Sequence, residues 1–247
     1  MLEGLYSAAA GMAAQQRHMD ATANDLANVN TTGYKRVRVA FRDLLYNTAA
    51  PRGAANRTQF GAGSAADTIG RDFGQGELGD TGKPLDFALE GPGFFRVRNA
   101  NGVVGLTRDG GFHLDPSGRL VTAGGAQVLP GINIPAGTKT DDIQVGADGT
   151  VKIGTTVLGK LDVVTVQSPD GLTPLGGNLF AVSPQSGPAR AASFPTTVVH
   201  QAMLESSNAD VADAMVDMID SQRSYTLASK AIQMQDEMAG IANQVKS

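Results

Sequence analysis

The sequence predicts an α+β fold: terminal α-helices pair as a coiled-coil-like domain, and a β-rich, mainly antiparallel domain is inserted between them. Three observations lead there. Proline is absent before Pro51 and after Pro195, and only Gly4, Gly11, Gly33 and Gly240 of the thirty-one glycines fall outside those limits, so the ends can be helical and the middle is turn-rich. Apolar residues recur every seven positions near both ends. Between them, short alternating runs are punctuated by turn residues. The division that follows is residues 1–46 plus 201–247 as the helical domain with its adjoining segment, 47–66 as a linker or variable segment, and 67–200 as the β-rich domain.

In the first helix the seam is Leu5, Met12, Met19 and Leu26, with Ala9 and Ala23 at intermediate positions. The seam is narrow, Gln16 interrupts the intermediate series, and few charge pairs support the outer faces, so the segment needs a packing partner to be helical. His18 is expected on the polar side. Asn24, Asn28, Asn30, Thr31 and Thr32 offer side-chain hydrogen bonds that compete with the helical ladder, and Gly33 permits a positive φ, so the chain turns here. A Gly33→Val change is expected to disturb assembly more than folding of the β-rich domain. Beyond the turn, Val37, Val39 and Phe41 alternate as in a strand, whereas Val37, Phe41, Leu44 and Leu45 fit a helix; both remain open.

In the middle, Leu85, Phe87 and Leu89 alternate with small or polar residues, and Leu158, Leu161, Val163 and Val164 form a similar run. Asn101-Gly102, Asp115-Pro116-Ser117-Gly118 and Asp148-Gly149 are hairpin signals. At the far end, Ser207-Asn208-Ala209-Asp210 reads as a capping-box-like helix start, with Asp210 and Asp213 suited to the positive end of the dipole. Val211, Met215, Met218, Gln222 and Tyr225 make one stripe; Leu227, Ala231, Met234, Met238, Ile241 and Val245 make a second, rotated one. A helix whose apolar face shifts after Tyr225 fits packing on the first helix and on neighbouring subunits.

The composition narrows the function. The chain has no cysteine, so disulfides, thiolate catalysis and Cys-ligated metal are out of reach. A net charge of −4, with no basic cluster larger than Lys35-Arg36-Val37-Arg38, argues against a nucleic-acid grip; that run reads as a solvated face or subunit contact. No apolar stretch is long enough for a membrane span, and the N-terminus lacks a cleavable-signal pattern. Gly74-Gln75-Gly76-Glu77-Leu78-Gly79 has the dinucleotide spacing, but Gly82 and Pro84 follow at once, so it is a loop. His18, His113 and His200 lack metal-ligand spacing, no nucleophile elbow is present, and Asp141-Asp142 read as solvated. No catalytic, cofactor-binding or metal site is nominated.

Four segments carry a family likeness. They are Gly11 to Asp20 continuing through Ala23-Asn24-Asp25-Leu26-Ala27-Asn28-Val29-Asn30-Thr31-Thr32-Gly33-Tyr34-Lys35-Arg36; Phe41-Arg42-Asp43-Leu44-Leu45-Tyr46; Leu89 to Val97 with Thr107 to Thr122; and Leu204 to Val211 with Met218 to Tyr225. In this order over nearly the whole chain, they resemble the bacterial flagellar basal-body rod and hook family, most of all its distal-rod members, since Ala-Gln-Gln, Lys-Arg after the turn and Asp-Leu-Leu-Tyr occur together. Asp25 stands where a second Asn is usual, Tyr34 where Phe is as common, and Asn47 to Gly63 does not align.

The resemblance implies a helical homopolymer whose tube transmits torque, with the terminal helices as inner layer and the β-rich domain as outer layer. It also implies neighbouring rod and hook proteins as partners, export by the flagellar type III apparatus, and residence in the basal body within the cell envelope. The assembly residues are then the seam, Leu5, Met12, Met19, Leu26, Met218, Tyr225 and Ile232, with Gln222 and Arg223 beside it, and the turn, Asn24, Asn28, Thr32, Gly33, Tyr34 and Lys35. Rival readings are another rod segment or the hook protein, a secreted β-rich binding module, and a hydrolase with a site in the β domain.

Overall fold

The structure, a computed structural model, describes residues 2–44, 47–49, 58–60, 63–135, 137–194 and 196–246. The chain divides into two compact units, one of Met1–Ala27, Val37–Ile69 and Asp210–Ser247, the other of Asn28–Arg36 and Gly70–Ala209. Residues 28–36 and 201–209, which adjoin the terminal helices in sequence, therefore belong to the β-rich unit.

The helical unit holds α1 (Leu2–Ala27), β1 (Val37–Asp43), β2 (Asn47–Ala49), β3 (Thr58–Phe60), most of β4 (Ser64–Arg71) and, at the far end, α2 (Val211–Lys246). The ambiguity after the turn resolves as strand: β1 pairs with β4, and the strand ends before Leu44, whose amide donates to the Gly63 carbonyl at 2.9 Å. Leu45, Tyr46 and residues 50–57 of the variable segment lie outside the described residues. Asp25 holds the start of β1, its carboxylate accepting from the Val37 amide at 3.0 and 3.3 Å. The start of α2 differs from the expected box. Asp210, not Ser207, is the N-cap, its Oδ1 accepting from the amides of Ala212 and Asp213 at 2.7 and 3.2 Å.

The second unit runs β5 (Leu78–Asp80), β6 (Phe87–Glu90), β7 (Phe94–Arg98), β8 (Val104–Thr107), β9 (Phe112–Leu114), β10 (Leu120–Thr122), β11 (Gln127–Val128), β12 (Ile143–Val145), β13 (Thr150–Ile153), β14 (Thr156–Lys160), β15 (Val163–Thr165), β16 (Thr173–Gly176), β17 (Leu179–Ala181), β18 (Arg190–Ala191), β19 (Val198–Gln201) and β20 (Met203–Glu205). Its largest sheet has the order β16-β17-β8-β7-β11-β10-β9, with β15 also on β7 and β18 on β15. Every pairing in this unit is antiparallel. At β7 and β15 both sheet faces are covered: Phe95 and Val163 enter a large cluster with Phe87, Leu89 and Phe112, while Phe94 and Val164 enter a second with Leu106, Leu172 and Phe180. Adjacent apolar residues in a strand point to opposite faces, which is why the doublets Phe94-Phe95 and Val163-Val164 occur where both faces are dry.

Hairpin turns are fastened by carboxylates. The Arg119 amide, first of several donors, holds the Asp115 carboxyl below its ordinary pKa, and the Thr150 hydroxyl does the same for Asp148. A carboxyl with a lowered folded pKa adds stability that is fully present above its unfolded value of 3.8 and is lost as pH falls through the folded value. The double variant Asp115→Ala, Asp148→Ala is therefore expected to melt below wild type at neutral pH, with the gap closing on acidification below about pH 3.8. Thermal melts across pH check this, and a gap that does not narrow at low pH refutes it.

Candidate assembly surfaces

In the helical unit α1 and α2 run antiparallel: His18 Nδ1 lies 2.6 Å from the Ser221 hydroxyl, and a Cβ at Gly4 would lie 3.0 Å from the Gln235 side chain. The face of α2 toward α1 is Ala214, Met218, Ser221, Tyr225, Ala228, Ile232 and Gln235, alternating steps of four and three. Met218 and Ile232 are half-buried there, Tyr225 sits at its edge, and Gln222 and Arg223 are exposed. On α1, Leu5, Met12, Met19 and Leu26 are all half-buried, whereas Ala9 and Ala23 are exposed. The most buried residues of α1 are Ala14, Thr22 and Asp25, all small or polar. His18 departs from the polar side expected of it: it is half-buried at the seam, with the Phe41 ring 5.6 Å away.

Asn24 is exposed on α1, at a cleft of about 520 Å³ shared with Val37 and Val39 of β1. Arg17 spans from α1 to β4, donating to the Ala66 carbonyl at 3.0 Å.

In the β-rich unit the turn closes with Asn28 accepting at its carbonyl from the Thr31 amide at 3.0 Å. Thr32 donates to Asp109 at 2.8 Å and its carbonyl accepts from Asn178 at 3.0 Å. Gly33 has φ +64°, and a Cβ there would lie 2.5 Å from the Asp109 amide nitrogen. The position is thus closed to side chains twice over, by conformation and by space. Gly33→Val therefore strains the β-rich unit itself as well as the chain's direction at the turn. Tyr34 is buried under the Arg71 guanidinium, 5.2 Å from ring centre.

Lys35 is not on a solvated face. Its side chain is 0% exposed, as is that of Glu205, and the ammonium donates to Glu205 Oε1 at 2.5 Å and to the Gly74 carbonyl at 2.7 Å. Arg108 meets the other carboxylate oxygen at 3.2 Å and donates to the Gly91 carbonyl at 2.8 Å. The Gly76 amide adds a third donor to Glu205 at 2.9 Å, so the loop carrying the dinucleotide-like spacing serves as a cradle for a carboxylate. Burial pushes the pKa of both Lys35 and Arg108 below their ordinary values, an effect that the charge of Glu205 opposes. Around them, Asn208 accepts from the Arg36 amide at 2.8 Å and donates to the Asp72 carbonyl at 2.8 Å, and Arg71 donates to the Lys35 carbonyl at 2.7 Å.

Glu205, Arg108 and Asn208 are the residues that sequence reasoning missed. Each sits inside a motif noted for its own sake, and only the fold shows that the three motifs meet. Among the described residues no His or acidic group forms a cluster fit for a metal ion, and no helix is long and apolar enough to cross a membrane.

Comparison with known proteins agrees along the whole length. Residues 5–35 match the family model for flagella basal body rod protein, 88–153 that for the flagellar hook protein FlgE/F/G D1 domain, and 200–245 that for the flagellar basal body rod FlgEFG protein C-terminal. The chain is similar to the flagellar basal-body rod protein FlgG of Borreliella burgdorferi, 39% identical over 100% of this chain and 99% of that one. The protein of the same name from Agrobacterium fabrum is 39% identical, covering 98% of both chains, and that of Bacillus subtilis is 38% identical, covering 96% and 97%.

Removing one partner of a buried ion cluster strands the rest, at a cost of about 3–5 kcal/mol. Glu205→Ala, which leaves two buried cations facing each other, is expected to destabilise the β-rich unit by about that amount. Lys35→Met leaves the neutral Arg108 and Glu205 pair and is expected to cost clearly less. Urea unfolding of the full chain, followed by circular dichroism, distinguishes the two; equal losses would contradict the cluster's charge balance.

Proposed function

The chain belongs to the flagellar basal-body rod protein family, and from that premise we propose that it is the subunit of the distal rod. It polymerises through its terminal helices into a helical tube that carries torque from motor to hook. Its role is structural, not catalytic, and its partners are further copies of itself, the adjacent rod and hook proteins and the type III export apparatus. The observation that carries the reading is α2: beyond its seam with α1 it exposes Met215, Val216, Ile219, Leu227, Met234, Met238 and Ile241. A large apolar surface of this extent signals an interaction site. Contacts between different faces of identical copies do not close on themselves, and so build a filament.

The assembly residues follow from this reading. Leu5, Met12, Met19, Leu26, Met218, Tyr225 and Ile232 hold the helix pair in the form that neighbours recognise, Gln222 and Arg223 face outward, and Asn24 to Lys35 fix the chain's exit from α1.

Two measurements test this. Leu26→Asp places a carboxylate in the half-buried flank of α1, and a desolvated charge without a partner costs several kcal/mol, repeated at every copy. Cells carrying it are expected to be non-motile and to lack distal rods, while the β-rich unit melts as in wild type; intact flagella would refute the role of the helices. Limited proteolysis of the monomer is expected to trim both helices and leave a core that reaches to about residue 209 and keeps Lys35, not one ending near residues 67 and 200, because residues 28–36 and 201–209 belong to the β-rich unit; full protection of both ends in a verified monomer would count against assembly-dependent helices.

A further inference from the structure

The chain has eight methionines and no cysteine, so thioethers are its side chains most open to two-electron oxidation. They are unevenly placed. Met12, Met19, Met203 and Met218 are half-buried, whereas Met234 and Met238 of α2 are 57% and 58% exposed. Those two stand four residues apart, which makes them neighbours on one face of the helix. Leu227 lies seven residues before Met234 and Ile241 seven after it, so both share that face, and both are exposed. Two of these four large apolar side chains are therefore sulfur-bearing.

Methionine suits a contact face because its unbranched, polarizable side chain adapts to the surface it meets. Oxidation removes that property. With hydrogen peroxide, a sulfur lone pair attacks one peroxide oxygen, and the O–O bond breaks as the S–O bond forms. The proton on the transferred oxygen passes to the departing hydroxide, so sulfur loses two electrons and the peroxide is reduced to water. The product, a sulfoxide, is a polar hydrogen-bond acceptor, and burying it against an apolar surface leaves that acceptor unsatisfied. Methionine sulfoxide reductases reverse the change.

We propose that Met234 and Met238 form an oxidation site for peroxides that decides whether a subunit can enter the rod. The inference rests on the rod reading and adds a control on it. The free subunit presents both sulfurs to water, and a subunit oxidised there carries polar oxygens on a face that assembly would bury. Such a subunit is left out. Once a subunit is assembled, burial shields the same sulfurs, so the control acts before incorporation and not after it. Met12, Met19 and Met218, half-buried at the seam, react more slowly, and the helix pair keeps its own packing.

The test begins with the purified full-length chain, treated with hydrogen peroxide and followed by peptide mass spectrometry. Met234 and Met238 are expected to gain oxygen about tenfold faster than Met12, Met19 and Met218, and equal rates would overturn the site. In cells, rods completed after a peroxide pulse are counted in isolated basal bodies, each strain being compared with itself untreated. Wild type is expected to complete about tenfold fewer after the pulse, and Met234→Leu with Met238→Leu to show no comparable fall. Met234→Gln with Met238→Gln sets an amide where the sulfoxide oxygen would stand and keeps a good helix former; it is expected to lose rods without peroxide while circular dichroism of the monomer shows its helices intact. Normal rods in the Gln variant, loss of its helices, a Leu variant that builds no rods, or one that falls as wild type does would each overturn the oxidation site and leave the rod reading standing. A wild-type chain that never enters the basal body would overturn both.

Discussion

The carboxylate of Glu205 is the point on which the β-rich unit's organisation turns. It lies out of water, shared between Lys35, Arg108 and the Gly76 amide, and so ties together three stretches of chain with no sequence proximity. In a low-dielectric interior each of these bonds is strong because the alternative, an unpaired charge, is so unfavourable. The cluster holds two cations to one anion, and the surplus charge is spread over carbonyls of Gly74 and Gly91. That imbalance ranks its members. Arg108 with Glu205 is self-sufficient, Lys35 is an addition, and Glu205 alone is indispensable.

The two units are built on different terms. The β-rich unit encloses Phe87, Phe95, Phe112, Phe94 and Phe180 on both sides of one sheet and owes its stability to that burial. The buried residues of the helix pair are Ala14, Thr22, Asp25, Ala214 and Ser221, small or polar, with His18 and Ser221 hydrogen-bonded across the seam. Little apolar area is hidden there, while much remains outside on α2. A helix pair of this kind is completed by association, since helices gain most of their stability from tertiary packing.

Much of this was legible in the sequence where one residue type has one physical use. Gly33 announced a positive φ, the unequal distribution of glycine and proline separated helical ends from a β-rich middle, and the Asp-Gly and Asn-Gly signals fell at turns. Legibility failed where a pattern has two readings or depends on a distant partner. Val37, Val39 and Phe41 suit a strand while Val37, Phe41, Leu44 and Leu45 suit a helix, and only pairing with β4 decides. Lys35 looked solvated because its counter-ion lies 170 residues away. His18 looked polar because the neighbours that half-bury it, Phe41 and Ser221, come from other elements. Asp210 and Ser207 are both competent caps, and the choice between them lies in where Asn208 is needed, bridging Arg36 and Asp72.

The small, polar seam of the helix pair has a calorimetric consequence. Heat-capacity change on unfolding grows with apolar area exposed and is reduced by polar area. Nearly all of it must therefore reside in the aromatic clusters of the β-rich unit, leaving the helix pair with a shallow stability curve. Cooling weakens apolar burial but leaves hydrogen-bonded contacts such as His18 to Ser221 little affected. The two units thus respond unequally to cold, and the part with the thinner core is the one whose strength within a single chain depends least on temperature.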